Sequence, residues 1–340
     1  MRRCIELAKC GFGTASPNPM VGAVIVCDGK IIGEGWHRRC GEAHAEVNAV
    51  NSVKDKSLLK HSTIYVSLEP CAHVGRTPAC ADMLIREGIP NIVVGSIDPF
   101  EKVAGKGIEK LRIAGRNVKV GVLKEECDWL NRRFFTYHTK QRPYIILKWA
   151  QTADKFIDNI RSDASQKPLA ITNNYYNTLV HKWRTEEDGI LVGTNTVKLD
   201  NPQLTARHWS GRNPVRICID EKLSLSPNSK IFDTKAKTII INSQKESIEE
   251  NLYFCKANFG ENIVKQILDI LYRHEIQSVI IEGGAQTLKS FFSQGLWDEA
   301  RIFTSSMHIG NGVSAPEFNF SFDKRESNNG ITLDYYYNNA

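Results

Sequence analysis

Short β-branched runs alternate with stretches of helical periodicity along almost the whole chain. "MVGAVIV" leads into a hairpin turn at Asp28-Gly29 and then "KIIGEGW". A helix is expected after His44, a strand over "STIYVSL" and a helix from about Pro78, since proline suits a first helical turn. A strand over "NIVVGS", a helix through "GIEKLRIAG" and a strand over "NVKVGV" complete an α/β sandwich.

Residues 124 to 142, "KEECDWLNRRFFTYHTKQR", read as a charged and aromatic connector that Pro143 ends. Two domains are therefore expected, 1–142 and 143–340. The alternation resumes with "YIILKWA", a polar stretch, a helix around "NNYYNTLVHKWRTEE", then "GILVGT", "PVRICID" and "KTIIIN". A helix near residues 261 to 274, "SVIIEGG", another helix and "ARIFTS" follow. This pattern implies a largely parallel sheet with ligand sites at the strand C-terminal ends.

Composition narrows the class. The chain has 340 residues, 41% of them hydrophobic, enough for more than one core. Charged residues make up 24%, the mean hydropathy is −0.32, and no run approaches the ~20 apolar residues of a membrane span. The opening "MRRCIELAKC" reads as an amphipathic helix without the apolar stretch or cleavage site of an export signal. Nine cysteines, an odd number widely spread, fit a reducing cytoplasm better than a disulfide framework. The net charge of +6 is scattered and suits a phosphorylated small molecule as well as it suits nucleic acid.

The first chemical signal is "GEAHAEVNAV", with His44 two positions before Glu46, followed downstream by "SLEPCAHVGRTPACADML" with Cys71 and Cys80. One imidazole and two thiolates are the three protein ligands of a catalytic zinc site, which keeps its fourth position for water. A helix N-terminus beside a dication favours thiolates, and Cys80 stands at the start of a helix. Two thiolates cancel the ion's formal charge, so a carboxylate is needed as base, and Glu46 is the candidate. Residues i and i+2 inside a helix point about 200° apart, so His44 and Glu46 can share a site only near the helix end. The chemistry this set performs is hydrolytic deamination of a ring carbon bearing an amine.

Singly, His44 is equally a helix cap, Glu46 a solvated carboxylate and each cysteine a small buried hydrophobe. A structural zinc also stays open, with Cys40 or His73 as a fourth ligand.

Nucleobase deaminases carry H-x-E and P-C-x-x-C, whereas eight residues separate the cysteines here. Together "SPNPMVGAVIV", "GEGWH", "HAEVNAV" and "EPCAHVGRTPAC" resemble the N-terminal half of the bifunctional riboflavin-biosynthesis deaminase/reductase family, which has the cytidine-deaminase-like fold and carries the longer "GRTP" loop. The resemblance implies a diaminopyrimidinone ribosyl phosphate as substrate, contacted by Asn18, His37 and Asp98, with Arg76 near its polar groups. Phe100 stands where many members have Asn, so a hydrogen bond from that position is absent.

The second half has no G-x-G-x-x-G after a strand, which disfavours a Rossmann site. It has "ILVGTNTVKLDNP" and "VIIEGGAQTLKSFF", each a strand, a glycine turn and a helix start that suit phosphate or tight strand-to-helix packing. This half resembles the family's reductase domain, with a dihydrofolate-reductase-like fold and NADPH as cofactor. The resemblance places Ala150, Thr196, Asp200 and the turn Gly284, Ala285, Gln286, Thr287, Leu288, Lys289 and Ser290 along the dinucleotide. It places Arg184, Leu204, Arg207 and Glu282 at the substrate, with Lys148 and Glu282 around the reacting sugar, polarising a ring-opened carbonyl and supplying a proton. Two positions depart from the family: Lys155 follows Asp154 where members have Gly, and Ala170 replaces a Trp. A cytoplasmic homo-oligomer without nucleic-acid or membrane partners is expected. The competing readings are a deaminase acting on nucleic acid, with a basic groove and stacking aromatics, and a structural-zinc binding module.

Overall fold

The computed structural model describes residues 1–72, 79–100 and 104–338, and the chain divides into two compact units, Met1–Gln141 and Arg142–Ala340. The first unit begins with α1 (Arg2–Lys9), β1 (Gly22–Cys27), β2 (Lys30–Trp36), α2 (Ala45–Ser52) and β3 (Thr63–Leu68). It continues through α3 (Cys80–Arg86), β4 (Asn91–Ser96), α4 (Lys106–Ile113), β5 (Asn117–Val120), α5 (Lys124–Leu130) and α6 (Arg132–Lys140). Asp28 and Gly29 both take positive φ, 48° and 74°, as the tight turn between β1 and β2 requires.

The sheet order is β2-β1-β3-β4-β5, with β1 antiparallel to both neighbours and β3, β4 and β5 parallel. Ile25, Ile64, Val66, Ile92 and Val94 are buried against Ala49, Val50, Leu84, Ile108 and Leu111 from the helices. Each fully buried aliphatic side chain of this kind contributes about 1.5–3 kcal/mol. β2 meets α2 through glycine: a Cβ on Gly35 would stand 2.4 Å from Ala49 N and 2.6 Å from Ala45 O. That close approach brings the N-terminal end of α2 against the end of β2.

Residues 124 to 140, read from sequence as a connector, are instead the helices α5 and α6 of the first unit. Each presents an apolar face inward, burying Cys127, Leu130 and Phe134, while Trp129 stays exposed under the Arg132 guanidinium. Asn131, between them, accepts from Met20 N and donates to Met20 O, each at 2.8 Å. Phe100 rests on the His138 ring at 5.1 Å, so its aromatic surface has a partner.

The second unit comprises β6 (Tyr144–Gln151), β7 (Phe156–Asp158), α7 (Asn174–Glu186), β8 (Gly189–Gly193), α8 (Thr194–Asp200), β9 (Val215–Ile219) and β10 (Thr238–Asn242). Beyond these lie β11 (Ser247–Glu249), β12 (Leu252–Lys256), α9 (Ile263–Arg273), β13 (Ser278–Gly283) and α10 (Ala285–Phe292). The last strands are β14 (Glu299–Ser305), β15 (Val313–Ser314), β16 (Lys324–Asn328) and β17 (Ile331–Tyr337). The large sheet runs β11-β12-β10-β9-β8-β13-β6-β14-β17-β16. Its centre, β12 to β14, is parallel, while β11, β17 and β16 join antiparallel at the edges.

Both faces of this sheet are covered. Ile145, Leu147 and Trp149 of β6 pack with α9 and α10, while Tyr144 and Ile146 pack with Tyr176 and Trp183 of α7. Asp298 anchors the start of β6: its carboxylate takes two bonds from Arg142, at 2.6 and 2.8 Å, and one from Ile145 N at 2.8 Å. Among the described residues no helix is long and apolar enough to cross a membrane.

Lys155 holds φ at 67° in the exposed turn after β6, where its N–H donates to Thr152 O at 3.0 Å. A Cβ in the left-handed region costs about 1 kcal/mol. The substitution Lys155→Gly removes that strain, partly offset by the freer unfolded chain, and should stabilise the second unit by roughly 0.5 kcal/mol. Denaturant melts that place the variant below the parent would show that the turn carries no such strain.

Candidate functional site

Register alone gathers the first set of residues. Gly22 pairs with Trp36 and Ala23 with Val66, while Val66 pairs with Val94, so the start of β1 and the ends of β2, β3 and β4 share one edge. Asn18 precedes β1, His37 follows β2, Cys71 follows β3 and Asp98 follows β4. To the same region α2 and α3 bring their N-termini, with His44 and Cys80.

His44 lies just outside α2 with extended backbone, φ −68° and ψ 165°, and Glu46 is in the first turn. The angular objection to an i, i+2 pair therefore does not arise. His44 Nδ1 stands 3.6 Å from Cys71 Sγ and 3.4 Å from Cys80 Sγ, and the donor atoms all lie within 4.8 Å of one another. Cys80 N donates to Cys71 Sγ at 3.3 Å, the helix N-terminus facing the sulfur. Contact with the Cys80 thiol, and then His44, pull the Cys71 thiol down against burial, and the same thiol–thiol contact together with burial pushes Cys80 up. Two sulfurs and one imidazole nitrogen form a soft donor set that fits zinc. Cys40 is exposed and outside this cluster, and His73, like Arg76, lies outside the described residues.

Glu46 is 3% exposed, and burial pushes its carboxyl up to about 7, with His44 opposing. His37 touches the His44 ring edge-on at 5.4 Å between centroids. Its Nδ1 is 3.2 Å from Ala43 O and so carries the proton, which leaves Nε2 to accept from Asn18 Nδ2 at 3.0 Å. Asp98 Oδ1 accepts from Phe100 N at 2.9 Å. The structure thus brings Asn18, His37, His44, Glu46, Cys71 and Cys80 together, and places Asp98 on the neighbouring loop.

Glu69, which sequence reasoning passed over, fastens that loop. Its buried carboxylate accepts from Asp98 N and Gly105 N on one oxygen and from Gly107 N and Ile108 N on the other, at 2.9–3.3 Å. Only its place directly before Pro70-Cys71 could have marked it. Gly107 has no room for a Cβ, which would fall 1.8 Å from Pro70 O.

In the second unit, alternation along the strands does the gathering. Leu147 pairs with Ile281, so Lys148 and Glu282 are adjacent on the face that α7 covers, at the C-terminal ends of β6 and β13. Lys148 Nζ is 3.9 Å from Glu282 Oε1, and Arg184 of α7 donates to Glu282 Oε2 at 2.8 Å. Burial pushes the Glu282 carboxyl up, but Arg184 and Lys148 outweigh it and hold it at about 2. With the folded value below the unfolded one, this pairing stabilises the unit above the ordinary carboxylate range and is lost as pH falls toward 2. Burial lowers the Lys148 pKa, Glu282 opposing. Glu282 Oε1 and Arg184 Nε are buried without a hydrogen-bond partner among the described residues, which suits a site built to receive polar ligand atoms.

The glycine turns meet beside this pair. A Cβ on Gly193 would stand 2.8 Å from Thr287 Oγ1, and ones on Gly283 or Gly284 would stand 3.6 Å from Thr196 Oγ1. No side chain caps α10 at Gly284, so the first-turn amides of Ala285, Gln286 and Thr287 face outward as donors, which fits the phosphates of a dinucleotide. Ala150 lies on β6, half-buried beside the α7-facing core. Two expected contacts are limited to backbone: Leu204 is 2% exposed and Leu288 fully buried, both with side chains in the core. Asp200 is engaged by Arg161 at 2.5 Å, while Ser290 Oγ donates to Gln286 O and Lys289 follows Leu288 in α10. Arg207 N donates at 2.9 Å to His181 Nδ1, a residue absent from the sequence reading.

Replacing Glu69 with Gln leaves one carboxylate oxygen's worth of backbone N–H groups without an acceptor. Amide exchange at Gly105, Gly107 or Ile108 should quicken by about tenfold. Unchanged protection at all three would mean that the loop is held by other contacts.

Comparison with known proteins gives a concordant picture. Residues 1–96 match the cytidine and deoxycytidylate deaminase zinc-binding region, and residues 143–321 match the RibD C-terminal domain. The chain is 42% identical to the riboflavin biosynthesis protein RibD of Aquifex aeolicus, over 92% of this chain and 88% of that one. It is 33% identical to RibD of Escherichia coli, over 92% and 88%. A solved Thermotoga maritima diaminohydroxyphosphoribosylaminopyrimidine deaminase/5-amino-6-(5-phosphoribosylamino)uracil reductase superposes with a TM-score of 0.88 at 37% identity, covering 98% of this chain and 96% of that one.

Proposed function

The chain belongs to the RibD family of riboflavin biosynthesis, and from that membership and the two sites we infer how it divides its chemistry. It is a bifunctional enzyme: the first unit deaminates a diaminopyrimidinone ribosyl phosphate and the second reduces the ribosyl group to ribityl with NADPH. The observation that carries this reading is the convergence of His44, Cys71 and Cys80 within 4.8 Å beside the buried Glu46.

His44 and the two cysteines would hold the zinc, which would supply the Lewis acidity that makes water nucleophilic near neutral pH. Glu46 takes a proton from the attacking water at its carboxylate. It gives that proton to the ring nitrogen as the C–O bond forms, then takes the remaining proton from the new hydroxyl and gives it to the departing amine, so that the C–N bond breaks, the carbonyl forms and ammonia leaves. Asn18 and His37 hold the pyrimidine; the His37 tautomer fixes the Asn18 amide so that its oxygen is the atom left to accept from a substrate N–H. Asp98, on the loop that Glu69 fastens, and Arg76 complete the contacts in this reading.

In the second unit NADPH supplies a hydride when bound. The first-turn amides of α10, with Thr196, Asp200 and the Ala150 segment, receive the dinucleotide. The anomeric carbon carries nitrogen, so ring opening makes a C=N electrophile rather than the carbonyl expected from sequence. Lys148 Nζ, made more acidic by burial, gives that nitrogen its proton as the carbon is reduced. Glu282 Oε1 faces Lys148 as an ion pair but holds no hydrogen bond, so it orients Lys148 and accepts from the sugar hydroxyls. Among the described residues the Arg207 guanidinium meets neutral oxygens, Gln203 Oε1 at 3.2 Å and Thr205 Oγ1 at 3.3 Å, which leaves its charge to pair with the substrate phosphate beside Arg184. The nine cysteines, all free, support a reducing cytoplasm, and the resemblance supports a homo-oligomer acting on a small molecule rather than on nucleic acid or membrane.

The variant Glu46→Gln should keep its zinc, measured by metal analysis, and lose deamination by about 10²- to 10⁴-fold, with reduction untouched. Full ammonia release from this variant would refute the role given to Glu46. Lys148→Ala should slow NADPH oxidation by about 10²-fold and leave deamination intact. Equal loss of both activities would instead indicate damage to the fold.

A further inference from the structure

α7 presents His181 and Arg184 one turn apart on the same face, and both reach the segment Gln203–Arg207. Arg184 donates to Thr205 O at 3.3 Å, and His181 Nδ1 accepts from Arg207 N at 2.9 Å. A ring nitrogen that accepts from a backbone N–H carries no proton, so the neutral His181 ring bears its proton on Nε2.

We propose that His181 is a positioning residue for reduction, holding Arg207 at the distance from Arg184 at which both guanidinium groups serve a phosphorylated ribosyl substrate. This rests on the reading of Arg207 as a phosphate contact. Like charges gathered on a half-buried surface repel, and each lowers the pKa of groups nearby unless an anion joins them. Arg207 is lowered by burial and by Arg184. Around His181 stand Arg184 on its own helix, Arg207 and His208 on the facing segment, and Glu282 on β13; burial and then the two arginines lower its pKa to about 4. The ring therefore stays neutral where the enzyme works, and the acceptor that fixes Arg207 is never lost to protonation. A lysine or arginine at this position would place a donor against a donor.

The test uses the full-length protein, saturating NADPH and the deaminated ribosyl phosphate supplied directly. His181→Leu keeps the bulk and removes the acceptor, whereas His181→Asn places an amide oxygen near the position of Nδ1. The Leu variant should raise the KM for the phosphorylated substrate about tenfold with kcat within about twofold, and inhibition by inorganic phosphate should weaken in step. The KM for NADPH and the deamination rate should not move, and His181→Asn should recover most of the loss. A wild-type KM in the Leu variant, or an Asn variant as impaired as Leu, would overturn the proposal. Arg207→Ala separates the two readings: an unchanged KM there refutes Arg207 as a phosphate contact, while a raised KM beside a normal Leu variant refutes only the role of His181. Should the Leu variant fail to fold, the ¹⁵N shifts of His181 in the wild-type protein decide, since a proton on Nδ1 at neutral pH contradicts the arrangement.

Discussion

Charge withdrawn from water has to be answered within bonding distance, and both units are organised around that constraint. Glu69 is answered by backbone amides, Asp298 by Arg142 and a strand amide, and Glu282 by Arg184 and Lys148. The fully buried Arg216 reaches Thr238, Asp233 and the carbonyls of Lys230 and Ala236. In every case the answering groups come from segments far apart in sequence, so the charge and the tertiary fold require each other. At Glu282 Oε1 and Arg184 Nε the answer is incomplete among the described residues, which leaves polar atoms that suit a ligand in the candidate site of the second unit.

The two sites reach this state by different routes. In the first unit the parallel strands β3 and β4 end beside the helix N-termini of α2 and α3, and helix ends supply the local field that sulfur ligands need. The second unit has no comparable cluster of soft donors among its described residues; there the face of the sheet under α7 is apolar at Tyr144, Ile146 and Ile280, carries the buried Arg301 paired with Glu187 and Glu299 beneath Trp183, and is ionic again toward the strand tips at Lys148 and Glu282. The apolar part excludes water, and the ionic tip is thereby strengthened.

Much of this is legible in the sequence. The central strands and helices show their periodicity, and His44, Glu46, Cys71 and Cys80 stand out because histidine, glutamate and paired cysteines flank a strand and a helix start. What escapes is of three kinds. The helices α5 and α6 read as a connector because their apolar residues are interleaved with charge, and burial of Cys127 and Phe134 shows only once the sheet is present. The hairpin β16–β17 escapes because its edge strand, Lys324–Asn328, is polar, as an unprotected sheet edge has to be. Glu69 and His181 escape because their partners are backbone amides, which leave no mark on residue identity. Leu204 shows the converse: similarity of motif marks the position, but burial leaves only its backbone to offer a ligand.

The pairing of Leu147 with Ile281 in the middle of a parallel sheet has one further consequence. β6 is bonded to β13 on one side and β14 on the other, so a deletion within it would have to shift every rung of both ladders. The residue slipping into the place of Lys148 would then be Leu147 or Trp149, each belonging to the core of the opposite face. Changes of length are therefore tolerated least in these inner strands and most in surface segments such as the stretch between β7 and α7.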